Sequence, residues 1–216
     1  MRMQLSKAFY ILSPNRQITT AEYADLARLF RNFSTYVYAF QLRIKDRNLL
    51  EREIPRLSDL CHEYKIPLIV NDFIDLALRF EADGVHVGVA DNTLEQCRHL
   101  LPSGKIVGVS CYNDIDRAKK NLFADYVSFG CFFESQTKPN PAAKASLATL
   151  NNWKNIAPRV PCVCIGGINE KNFVQLLRNG ADIVAFSSYL WRGESPYGKF
   201  AALIETSRHY ETYRNK

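Results

Sequence analysis

Apolar residues fall along this chain in short runs, and each run is followed by a longer stretch with apolar positions at helical spacing. The β-rich runs are Ala8–Ser13, Thr35–Arg43, Pro67–Asp72, Gly84–Gly88, Lys105–Cys111, Tyr126–Gly130, Pro161–Gly167 and Asp182–Ser188. Several are apolar on both faces, as in Leu68-Ile69-Val70 and Ile106-Val107-Gly108-Val109, which is how strands buried inside a parallel sheet read. Between them, Thr20–Arg31, Leu49–Tyr64 and Asn169–Asn179 carry the amphipathic stripe of helices. Phe173, Leu176 and Leu177 mark that stripe, and Asn179-Gly180 supplies a stop.

Strands alternating with helices imply parallel pairing, because each crossover needs the length of a helix. Eight such units within 216 residues predict an α/β fold, a closed (β/α)8 TIM barrel, with residues 1–216 as a single domain. No linker or low-complexity tract interrupts it. Glu134–Lys144, with two prolines and no apolar period, reads as a long loop after the sixth strand, and long loops in compact domains tend to be functional.

Composition narrows the function. Hydrophobic residues make up 47% and charged residues 23%, as in a soluble globular protein, and no apolar run approaches the ~20 residues of a spanning helix. The apolar stretch behind the basic N-terminus is broken at Ser13-Pro14-Asn15, too early for a signal peptide, so a cytoplasmic protein without membrane contact is expected. The net charge of +6 is scattered and interleaved with acids, as in Lys45-Asp46-Arg47, which argues against a nucleic-acid surface. It suits anionic small molecules better. The six cysteines (Cys61, Cys97, Cys111, Cys131, Cys162 and Cys164) lack both zinc spacing and the density of a disulfide scaffold, and read as buried thiols.

In such barrels chemistry sits where the strands end. The second strand ends in Gln41-Leu42-Arg43-Ile44-Lys45, whose period of two sets Gln41, Arg43 and Lys45 on one side. Facing the mouth, they suit a phosphate; facing outward, they are solvated charges. The third strand ends in Asn71-Asp72, and Asp91 follows the fourth strand, which carries His86. Two carboxylates brought together repel unless a hard cation such as magnesium bridges them, although each aspartate is also a plausible helix cap or partner of an arginine. Ser110 ends the fifth strand, Ser135-Gln136-Thr137-Lys138 lies in the long loop, and Ser187 and Ser188 end the eighth strand. Gly166-Gly167 after the seventh strand fits an anion cradle or a plain tight turn.

Taken in order, these motifs resemble the thiamine phosphate synthase family from Tyr10 to about Leu190. The residues that carry the resemblance are Gln41-Leu42-Arg43-x-Lys45, Asn71-Asp72, Ala82-Asp83-Gly84-Val85-His86-Val87-Gly88 with Asp91, and Gly108-Val109-Ser110. Thr137-Lys138-Pro139, Ile165-Gly166-Gly167-Ile168 and Gly180-Ala181-Asp182 through Ser188 complete the series. The resemblance implies a magnesium-dependent transferase that joins hydroxymethylpyrimidine diphosphate to a thiazole phosphate. It implies Gln41 on the pyrimidine side, with Arg43, Lys45, Asn71, Ser110 and Lys138 around the diphosphate. Arg43, Lys45 and Lys138 would serve as the catalytic cations. Asp72 and Asp91 would hold Mg2+, and Ser135, Thr137, Gly167, Ser187 and Ser188 would take the thiazole phosphate. A homodimer is a further expectation for this kind of barrel. The chain departs from the family pattern at Val89, at Glu134 and at Tyr112, where relatives often carry Gln, a Pro-containing approach and His. Two alternatives therefore stand beside the synthase: a thiazole tautomerase-like enzyme, and a non-catalytic barrel that binds a thiazole phosphate.

Overall fold

The computed structural model describes residues 6–134, 144–193 and 195–214, with side chains of the last helix as far as Arg208. Eight parallel strands close in sequence order into a barrel: β1 (Phe9–Leu12), β2 (Val37–Leu42), β3 (Leu68–Asn71), β4 (Gly84–Val87), β5 (Ile106–Tyr112), β6 (Tyr126–Gly130), β7 (Cys162–Ile165) and β8 (Ile183–Phe186). The helices that alternate with them are α1 (Thr20–Phe33), α2 (Arg47–Glu63), α3 (Ile74–Arg79), α4 (Leu94–Leu100), α5 (Ile115–Lys119), α6 (Leu147–Ile156), α7 (Phe173–Arg178) and α8 (Ser188–Trp191). A last helix, α9 (Pro196–Arg214), packs on α1. The predicted TIM barrel is the observed fold.

Strand alternation splits the apolar residues into two cores. Phe9 and Ile11 of β1 face the helices, in a large outer core with Phe40, Leu68, Val107, Phe129 and Phe186. Their neighbours Tyr10 and Leu12 face inward, in a small inner core with Ala39, Ile69, Tyr126, Val163, Ile183 and Ala185. Successive residues of a strand point to opposite faces, so a single run of apolar residues fills both.

A repeated device closes the lower end of the barrel, opposite the C-terminal ends of the strands. The Ala-Asp pair before β4, β6 and β8 places a carboxylate against an amide at the start of the preceding strand. Asp83 accepts from the Leu68 N–H (2.8 Å), Asp125 from Val107 (2.7 Å) and Asp182 from Cys162 (2.7 Å). Each aspartate also meets a basic group from the helix that leads into that preceding strand: His62 of α2 at 3.3 Å, Arg98 of α4 at 2.8 Å and Lys154 of α6 at 2.6 Å. An otherwise unpaired strand-end N–H would cost roughly 1–3 kcal/mol, so these aspartates are structural.

Four boundaries differ from the sequence expectation. The helix predicted over Asn169–Asn179 is only Phe173–Arg178. Asn169 accepts from the Lys171 N–H and Asn172 from the Asn169 N–H, so short amide side chains hold this segment in a turn. Ser187 and Ser188 do not end β8, which stops at Phe186. Ser187 precedes α8 and Ser188 opens it, the chain bending as the Leu190 N–H reaches the Ser187 carbonyl (3.1 Å). Likewise β5 runs past Ser110 to Tyr112, and β7 stops at Ile165, immediately before the glycine pair.

Candidate active site

The inner face of the upper barrel is polar, unlike the layer below it. Leu42 and Ile44 lie in the outer core, which turns Gln41, Arg43 and Lys45 to the barrel side. Gln41 is buried and donates from Nε2 to the Tyr10 hydroxyl (3.1 Å). Tyr10 and Tyr126 share a 2.9 Å hydrogen bond across the barrel, and Tyr126 meets His86 Nδ1 at 3.0 Å with the two rings stacked. With the amide donating to Tyr10, the chain of hydroxyls runs one way: Tyr10 donates to Tyr126, and Tyr126 to Nδ1, leaving the proton of a neutral His86 on Nε2. Gly108 makes room for it, since a Cβ there would lie 1.9 Å from Tyr126 Cζ.

Neutral His86 follows from its surroundings. Burial, reinforced by the positive charge of Arg43 and opposed by Asp91, pushes its pKa down to about 4. Burial of the two tyrosines likewise raises their pKa values, Tyr126 well above the usual phenol range. This network is fixed and uncharged at neutral pH. It forms a floor.

Charge gathers above it. Asp72, with φ of 67°, leaves β3 in the left-handed conformation, its N–H bonded to the His86 carbonyl (2.9 Å). Asp91 folds back so that its Oδ2 accepts from the Gly88 N–H (2.8 Å). The two carboxyls come within hydrogen-bonding reach. Burial first, then the hydrogen bond and charge of Asp91, push Asp72 up to about 6, while Arg43 and Lys45 pull it down. Backbone contacts hold those cations in place: the Arg43 N–H donates to Ser13 Oγ (2.8 Å) and the Lys45 N–H to Asn15 Oδ1 (2.7 Å). Neither makes a side-chain salt bridge among the described residues. Buried Asn71 and half-buried Ser110 occupy inward positions of β3 and β5 at the same end.

Gly166 and Gly167 both have positive φ, 102° and 66°. A Cβ on Gly167 would collide with the carbonyls of Phe133 and Glu134, so the turn is pressed against the segment after β6. β7 and β8 are neighbours, which sets this turn beside Ser187 and Ser188. Ser135, Thr137 and Lys138 lie outside the described residues. Exposed Glu134 pairs with Lys144 at 3.1 Å, so its charge is partly matched. A cavity of about 380 Å³ lined by Arg98, Leu101 and Gly104 sits at the other end of the barrel and contains none of these groups.

A family model described as thiamine monophosphate synthase matches residues 9–190, from the first strand to the helix after the last. The chain belongs to the thiamine monophosphate synthase family. It is 37% identical over 196 residues to the thiamine-phosphate synthase of Pelagibacter ubique, covering 88% of this chain and 92% of that one. It is 39% identical over 209 residues to the thiamine-phosphate synthase of Nitrosospira multiformis, covering 89% and 88%. Among solved structures, a thiamine phosphate pyrophosphorylase from Pyrococcus furiosus superposes with a TM-score of 0.76 at 26% identity, covering 94% of this chain and 96% of that one. Membership in this thiamine monophosphate synthase family does not itself assign roles to Tyr10, Tyr126 or Arg117, which sequence reasoning missed. Paired inward Gly108 and Tyr126 on neighbouring strands were the available sign of the tyrosine floor.

Proposed function

We propose that the upper end of the barrel is the active site of a transferase that joins hydroxymethylpyrimidine diphosphate to a thiazole phosphate, giving thiamine phosphate and pyrophosphate. The observation that carries the assignment of the site is the meeting of Asp72 and Asp91 under Arg43 and Lys45. Two hard oxygen donors, one of them driven toward protonation by burial and then by the other, suit a magnesium ion. Among the described residues no three His, Cys, Asp or Glu side chains converge, so such an ion would complete its shell with water and substrate oxygens. Asp72 and Asp91 would hold it, and when bound it would supply charge neutralisation to the leaving diphosphate.

The remaining work falls to the protein. Gln41, its Nε2 committed to Tyr10, offers Oε1 to the amino group of the pyrimidine. Arg43, Lys45 and Lys138 meet the charge that develops on the diphosphate as its bond to the methylene carbon breaks, aided by donors from Asn71 and Ser110. The thiazole nitrogen then attacks that carbon. Ser135, Thr137, Gly167, Ser187 and Ser188 hold the thiazole phosphate and so fix the distance and direction of attack. A diphosphate of charge about −3, one divalent ion, three cations and two carboxylates come close to neutrality. The tautomerase alternative relies on a histidine at the position of exposed Tyr112, and the non-catalytic alternative leaves the acidic pair unused. Six free thiols fit a reducing cytoplasm, and a homodimer is the expected assembly.

Pyrophosphate release from both precursors, with magnesium and with chelator, tests the reading. Turnover requires the metal, and Asp72→Ala and Lys138→Ala lose most of it while circular dichroism stays that of a folded barrel. Rates like the parent's in either variant would remove the assigned roles.

A further inference from the structure

Arg117 has no part in the roles above, yet its guanidinium ties together two pieces of the site. It projects from α5, where its own N–H is capped by Asp114 Oδ1 (2.8 Å) and its carbonyl accepts from Asn121 (2.8 Å). Its Nε donates to the Ser110 carbonyl (2.8 Å) and its Nη2 to the Gly88 carbonyl (2.9 Å), both partly buried. Gly88 is the residue whose N–H holds Asp91, and a Cβ on Gly88 would lie 2.7 Å from that carboxylate. Ser110 stands where the pairing of β5 with β6 slips, between Ser110 and Tyr112. The ladder is irregular at the point where Ser110 must be held.

We infer that Arg117 is a positioning residue for the diphosphate end of the site, setting Asp91 and Ser110 relative to each other by clamping the Gly88 and Ser110 carbonyls. The inference rests on the reading of that end as the metal and diphosphate site. The planar guanidinium suits this task because two donors at fixed spacing reach two acceptors, one in the turn after β4 and one on β5, which an ammonium cannot reproduce. Groups that orient a metal's ligands typically change its affinity by about 10–100-fold when removed. Arg117 supports one ligand of two and a neighbouring donor, so the lower end of that range is expected.

The test compares the parent protein with R117K and R117M by calorimetric titration with magnesium and inorganic pyrophosphate, alongside melting curves and steady-state kinetics. R117M binds magnesium pyrophosphate about tenfold more weakly. Its KM for the diphosphate substrate rises by a similar factor, and its KM for the thiazole phosphate stays within about twofold. R117K retains the charge and most of the packing but recovers little of the binding, which separates geometry from electrostatics even where R117M folds poorly. Parent-like binding in R117M, full recovery in R117K, or equal loss toward both substrates would overturn the inference. If the parent protein itself failed to bind magnesium pyrophosphate, the assignment of the site would fall and Arg117's role with it; parent binding with unaffected variants removes only Arg117.

Discussion

Replacing Asp72 by Asn stabilises the protein without ligands and at the same time disables it. Its carboxyl is pushed up to about 6 from an ordinary 3.8, so ionisation of the native state opposes folding. The full shift corresponds to about 3 kcal/mol; Asp72 is only half-buried, and solvent screening brings the usable figure to about 1–1.5 kcal/mol. The sign follows from proton counts. Between the two pKa values the native state holds more protons than the unfolded chain, so this group's contribution worsens as pH rises and is at its full cost above about pH 7. Asn is always neutral and accepts the left-handed φ of 67° as readily as Asp, which makes it a cleaner replacement than Ala. For a chain of this length, D72N should melt about 2–5 °C higher at pH 7.5 with chelator present, and the gain should vanish by about pH 4. Scanning calorimetry at the two pH values measures it, and pyrophosphate release reports the lost activity. A lower melting point at pH 7.5, or the same gain at both pH values, would refute the reasoning.

Two further outcomes depend on the floor of the site. Gly108→Ala forces a methyl group into the Tyr126 ring, 1.9 Å from Cζ, and should cost about 3 kcal/mol or more in urea denaturation while also lowering activity; a near-neutral effect would mean that the ring is not fixed there. His86 should remain neutral, protonated at Nε2, until pH falls to about 4, as followed by nitrogen-15 NMR of the imidazole. Its stabilising contribution is complete above about pH 6.5 and is lost as pH falls toward 4, opposite in sign to that of Asp72 and worth about 2 kcal/mol once its partly open edge is allowed for. Titration near 6.5 would contradict the buried network.

The fold was legible because strands buried on both faces read as plain apolar runs. Leu68-Ile69-Val70 and Val107-Gly108-Val109 carry no other interpretation inside a regular alternation with helices. Short helices were less so: α3 and α7, each six residues long, offer fewer than two turns of periodicity, and asparagine side chains draw Asn169–Asn172 into a turn. The charged rim was legible because strand ends announce themselves when Gln, Arg, Lys, Asn and Asp follow an apolar run. The floor was not. A tyrosine in an apolar strand looks like core, and Tyr10 and Tyr126 are core by burial; only the closure of the barrel brings hydroxyls from β1 and β6 to 2.9 Å. Arg117 is hidden for a similar reason, since its two acceptors come from the turn after β4 and an irregular stretch of β5.

The two ends of the barrel treat charge in opposite ways, and the contrast explains where function resides. Below, Asp83, Asp125 and Asp182 each take a backbone N–H and a basic side chain, so their charge is already matched. Above, Arg43 and Lys45 are brought to the barrel side without a salt bridge among the described residues, next to two carboxyls that disfavour each other. That arrangement costs stability in the empty protein and is relieved only by an anion and a cation arriving together. A ligand that binds the native state alone stabilises it by an amount set by its concentration and affinity. Magnesium with pyrophosphate should therefore raise the melting point more than the separate effects of magnesium and of pyrophosphate combined, because each removes the repulsion that limits the other. Replacing Asp72 by Asn should abolish that synergy while leaving the paired aspartates below to hold the barrel closed.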